Sequence, residues 1–61
     1  MTNNLIITQT YKNRDLQIGF KKVEDTTGWW ADYYFIYKGQ KPEGPYADEG
    51  EAFGGWYRQH G

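Results

Sequence analysis

The side chains of this 61-residue chain that could do covalent chemistry are few and poorly spaced for it. It contains no Ser and no Cys. The commonest nucleophiles are therefore missing, and neither a disulfide nor a thiolate metal site can form. The single His, His60, stands one residue from the C-terminus, where chain ends are expected to fray and stay solvated. The densest acidic stretch is Asp48-Glu49-Gly50-Glu51. A calcium loop needs alternating acidic ligands closed by a distal Glu, and that pattern is absent. Helix capping accounts for these residues better, with Asp48 accepting a backbone N–H and Glu51 reaching back three residues on. What remains is Tyr and scattered carboxylates, a weak basis for an enzyme. The expectation is a non-enzymatic chain with no cofactor and no metal.

The chain is instead rich in aromatic residues, which make up 20% of it. Trp29-Trp30-Ala31-Asp32-Tyr33-Tyr34-Phe35-Ile36-Tyr37 holds two of the three Trp and three of the six Tyr. Side chains alternate along a strand. Trp29, Ala31, Tyr33, Phe35 and Tyr37 therefore form one apolar side, expected to be core. Trp30, Asp32, Tyr34, Ile36 and Lys38 form the other; Asp32 either marks that side as partly wet or has a buried partner such as Lys21 or Arg14. A chain this short does not easily cover both faces of a sheet.

Composition bounds the rest. One domain is expected, near the lower size limit for folding without a staple. Each buried aromatic removes roughly 150–250 Å² from water, which offsets the small core. The net charge of −1 gives no general pull toward nucleic acid or anionic membrane. Lys12, Arg14, Lys21 and Lys22 lie early, while Glu43, Asp48, Glu49 and Glu51 gather late. No apolar run approaches the roughly 20 residues of a membrane span. Met1-Thr2-Asn3-Asn4 lacks the basic start of a signal peptide, so a cytoplasmic location is expected.

Four segments must position the aromatic strand. Leu5 to Tyr11 is β-branched and apolar and reads as a first strand; Lys12 to Asp15 is a turn. Leu16 to Val23 is a second strand with clean alternation of Leu16, Ile18 and Phe20. Gly19, on the opposite face, either weakens the strand or admits a large neighbour such as a Trp, and Trp30 packed flat over it is the alternative to an outward-facing Trp30. Glu24 to Gly28 forms the next turn, and Trp29 to Lys38 the third strand. Gly39 to Tyr46, with Pro42 and Gly44-Pro45, reads as irregular backbone. A helix then starts at Asp48, with Ala52, Phe53, Trp56 and Tyr57 on one face. Gly54-Gly55 either permits close helix-on-sheet packing or breaks the helix after two turns. The fold class is α+β: a three-stranded antiparallel β-meander packed against one short C-terminal α-helix.

The order Tyr11-Lys12…Leu16-Gln17-Ile18, Gly28-Trp29-Trp30-Ala31 and Gly44-Pro45-Tyr46-Ala47…Glu51-Ala52-Phe53 resembles a class of short bacterial and phage proteins. These are compact β-meander-plus-helix modules in which a Gly-Pro-aromatic turn leads into an acidic, Ala-rich helix. The resemblance implies that fold and a protein-binding habit, with no functional residues to carry over. The Gly54-Gly55 pair departs from the helical pattern of the class.

The expected function is a small protein-binding module whose outer face engages another protein or a second copy in a homodimer. Trp30, Asp32, Tyr34, Ile36 and Lys38 are the candidate contact residues, a composition typical of interface hot spots. From a phage or mobile element, such a protein would modulate or inhibit a larger host machine. The alternative is single-stranded nucleic-acid binding, with bases stacked on sheet aromatics beside Lys21, Lys22 and Lys38. The acidic balance opposes it. The first strand is a candidate free edge for strand addition.

Overall fold

A computed structural model describes residues 5–61. The expectation drawn from Met1 to Asn4 about a signal peptide lies outside the described residues. The order of elements is β1 (Ile6–Tyr11), a 3-10 turn (Lys12–Arg14), β2 (Leu16–Asp25), β3 (Gly28–Tyr37), β4 (Glu43–Tyr46) and α1 (Glu49–His60). The fold is α+β, an antiparallel sheet in the order β1-β2-β3-β4 with one C-terminal helix.

The sheet has four strands, one more than the sequence indicates. The extra strand is β4, whose Tyr46 pairs with Tyr33 and whose Glu43 pairs with Phe35. Gly44 and Pro45 hide it, because neither residue has strand propensity. Proline lacks the N–H that a central strand needs, but an edge strand tolerates it. The opposite edge, β1, carries no charged residue and is almost wholly exposed. Its pairing with β2 slips between Ile7 and Gln9, where the Thr8 hydroxyl donates to the Ile18 carbonyl at 3.3 Å.

The β2–β3 hairpin keeps perfect register over ten pairs, from Leu16 opposite Tyr37 to Asp25 opposite Gly28. Its turn is only Thr26-Thr27, tighter than the segment from Glu24 to Gly28. Asp25 makes this possible. Its carboxylate accepts the Thr27 hydroxyl at 2.7 Å and the Thr27 N–H at 2.8 Å, an Asx turn closed by Gly28 at φ 146°.

The register fixes which face is core. Leu16, Ile18, Phe20 and Lys22 of β2 oppose Tyr37, Phe35, Tyr33 and Ala31 of β3 on the helix side. Leu16, Ile18 and Phe35 are fully buried there beneath Ala52 and Trp56 of α1. Burying each of these large side chains contributes about 1.5–3 kcal/mol. Tyr11 packs on Phe53 and Tyr37 on Trp56, with ring centroids 5.2 and 5.9 Å apart. Arg14 closes the cluster, its guanidinium 5.7 Å from the Trp56 ring and 5.9 Å from Phe53.

Asp48 caps α1 by accepting the Glu51 N–H at 2.8 Å, as the spacing of the acidic residues implies. The Gly54-Gly55 pair does not break the helix, which runs for 12 residues. Gly55 instead lies against the Tyr46 phenol, which occupies the space a Cβ would need. Tyr57, placed on the apolar face by its spacing, is 61% exposed, because it flanks the contact line and does not enter it. His60 is exposed, as its place near the chain end implies, but it is ordered into the helix. It is the last helical residue, and its ring centroid sits 4.4 Å from that of Tyr37.

Candidate functional site

A 12-residue helix spans about 18 Å, whereas the ten-residue strands of the hairpin span about 33 Å. The helix therefore covers one end of the sheet and leaves the β2–β3 hairpin projecting as an arm. The long dimension of the molecule, 39 Å, follows from it. Trp29 points to the helix side but beyond the reach of α1, so it is 64% exposed and lies outside the core assigned to it from alternation alone. The Lys22 ammonium stands 5.2 Å from its ring centroid. Trp30, on the other face, is 43% exposed. The arm thus presents one indole on each side.

No described element packs over the outer face of the sheet. Trp30, Asp32, Tyr34 and Ile36 share that face, opposite Val23, Lys21, Gly19 and Gln17 respectively. The alternation of the aromatic strand is confirmed for these four. Lys38 does not join them. The strand ends at Tyr37, and Lys38 turns away with φ 55°, its N–H bonded to the Asp15 carbonyl at 2.7 Å. Its ammonium lies 5.3 Å from the Tyr37 ring, which belongs to the helix side. An αL residue carries no alternation onward, so counting past the strand end misplaces it.

Gly19 does not receive Trp30. Its register partner is Tyr34, and the space above it is taken by β1, with the Ile6 carbonyl and the Ile7 side chain closest. Trp30 pairs with Val23 nearer the arm tip. Tyr34 leans the other way, with its Cδ2 and Cε2 over Gly44. The ring therefore lies across a neighbouring strand that offers no side chain to displace it. Beside it, Leu5, Lys21, Lys41 and Pro42 complete an open, shallow depression with Tyr34 in its wall. Lys41 and Pro42 belong to a segment that sequence reasoning treated as irregular backbone. Their place beside Tyr34 depends on β4 pairing, and no sequence periodicity announces it.

The lysines grouped by composition are dispersed by the fold. Lys21 faces outward, Lys22 faces the helix side with Trp29, and Lys38 lies past the strand end. A second open groove runs between the 3-10 turn and the end of β3, lined by Lys12, Asp15 and Lys38 among others. Among the described residues, no group of three or more His, Cys, Asp or Glu side chains converges as metal ligands would. No described helix is long and apolar enough to cross a membrane. Asp25 is held below the ordinary carboxylate range, chiefly by the Thr27 hydroxyl and then by the Thr27 N–H.

The geometry defines a small sheet-and-helix module whose outer sheet face, uncovered by the helix, exposes Trp30 and leaves Tyr34 and Ile36 half-buried. Compared with protein-family models, curated proteins and solved structures, the chain matches none.

Proposed function

We propose that this chain is a small non-enzymatic protein-binding module that works through the outer face of its sheet. The observation that supports the reading is a sheet face that the helix leaves uncovered, with Trp30 exposed and Tyr34 half-buried on it, while α1 occupies the other side. Large aromatics with apolar bodies and polar tips give much contact area for little lost rotamer freedom, and they dominate interface hot spots. Trp30, Tyr34 and Ile36 form the apolar strip, with Asp32 as an orienting charge. Binding of this kind lets a 61-residue chain modulate or inhibit a much larger host machine by occluding a surface. A phage or mobile-element origin accords with that action.

The test is capture by the immobilised protein from a bacterial lysate, with Trp30→Ala and Tyr34→Ala variants run in parallel. A protein retained by the wild type and lost from both variants, whose circular dichroism is unchanged, supports the proposed face. Equal retention by all three would sink it.

A further inference from the structure

Tyr34 is the one outer-face aromatic whose surroundings specify more than hydrophobicity. Its ring lies over Gly44, and the depression beside it is lined by Leu5, Pro42, Lys21 and Lys41. The lining thus sets three side chains with apolar bodies, Tyr34, Leu5 and Pro42, beside two cations. No carboxylate lines the depression. Asp32 stands opposite Lys21 in register, so one of the two ammonium groups has an acidic neighbour on the sheet. Lys41 comes from the β3–β4 connection and has no register partner there. The site thus keeps a local positive character in a chain whose net charge is −1.

We infer that the Tyr34 depression receives an acidic peptide segment of the partner, with an apolar side chain against Tyr34, Leu5 and Pro42 and its carboxylate between Lys21 and Lys41. The inference rests on the protein-binding reading above and names the chemistry of the partner. Charge complementarity selects the occupant, since two lysines beside Tyr34, Leu5 and Pro42 match one or two carboxylates next to an anchor residue. They match a nucleic-acid strand less well. A strand brings a phosphate at every nucleotide, whereas the rest of this face offers Asp32 and neutral side chains in place of further cations. Trp30, toward the arm tip, extends the apolar contact and supplies no charge.

The experiment uses fluorescein-labelled 12-residue peptides with identical Phe and Leu positions, in which the remaining positions are rich in Glu, Gln or Lys. A fluorescein-labelled oligo-dT of equal length is titrated beside them at low salt. The protein variants are Lys21→Gln/Lys41→Gln, Trp30→Ala and, as a control remote from the site, Lys12→Gln. The expected result is binding of the Glu peptide at least tenfold tighter than the Gln peptide. The double lysine variant should remove that difference, and Lys12→Gln should keep it. Glu and Gln peptides that bind equally, with both weakened by Trp30→Ala, would overturn the acidic-segment inference and leave protein binding standing. Binding of oligo-dT in preference to every peptide would overturn both readings. So would the absence of any peptide that perturbs Trp30 fluorescence.

Discussion

Gly55 of the helix and Tyr46 of the last strand meet so closely that the phenol occupies the position of a Cβ. This contact sets how near α1 lies to the sheet, and it separates two adjacent glycines that look equivalent in sequence. Gly55 is buried, and any side chain there must move Tyr46 off Phe35, with which it stacks at 6.1 Å. The nearest group to a Cβ at Gly54 is the Arg58 guanidinium at 3.7 Å, an ordinary contact.

The two alanine substitutions should therefore act in opposite directions. Gly54→Ala gains about 0.5–1 kcal/mol from helix propensity. Gly55→Ala gains the same propensity but loses more to overpacking, typically about 1–3 kcal/mol, for a net loss. Urea unfolding of both variants checks this; equal effects of one sign would contradict the packing described.

Trp56 is the largest buried side chain of the helix, and its Nε1 is buried without an acceptor among the described residues. Trp56→Ala should cost about 3–5 kcal/mol, comparable with the whole stability of a domain this size. The variant is expected to be largely unfolded in near-ultraviolet circular dichroism. Trp56→Phe should cost far less, because an aromatic ring still meets Tyr37 and Phe53 and the unpaired donor disappears with the indole.

The three tryptophans should separate cleanly by spectroscopy. Trp29→Phe/Trp30→Phe leaves only buried Trp56. Its emission should shift to shorter wavelength than the wild type, and acrylamide quenching should fall several-fold. Unchanged quenching would mean that the indoles of the arm are shielded in solution.

The folded-state pKa of Asp25 is depressed, so its contribution is present above the unfolded value near 3.8 and is lost as pH falls through the lower folded value. Asp25→Asn keeps an acceptor for Thr27 but cannot titrate. Thermal melts between pH 2 and 6 should show a shallower acid limb for the variant than for the wild type. Identical profiles would remove Asp25 as a contributor.

Much of this arrangement is legible in the residues. The alternation of Leu16, Ile18 and Phe20 against Tyr33, Phe35 and Tyr37 gives the core face, because a half-buried strand writes its burial with period two. Asp48 announces the helix through a local hydrogen bond that needs no tertiary information. The failures are of another kind. Trp29 has core-face parity but lies where the helix has run out, a matter of relative element length. Lys38 follows a change of backbone region that alternation cannot register. β4 is assembled by its neighbour from residues with little strand propensity of their own, and it alone brings Lys41 beside Tyr34. Periodicity reports which way a side chain points; it does not report what stands opposite.

The two margins of the sheet differ in kind. β1 offers an uncharged run of backbone groups, whereas β4 is four residues long, opens with Glu43 and includes a proline. Strand-by-strand accretion is a chain-growth process, and it continues only if each added unit exposes a fresh growing end. A copy that docks through β1 brings with it only the terminated β4 margin. Of the two margins, β1 is therefore the one open to strand addition, and a copy that paired there would not present an equivalent edge through β4.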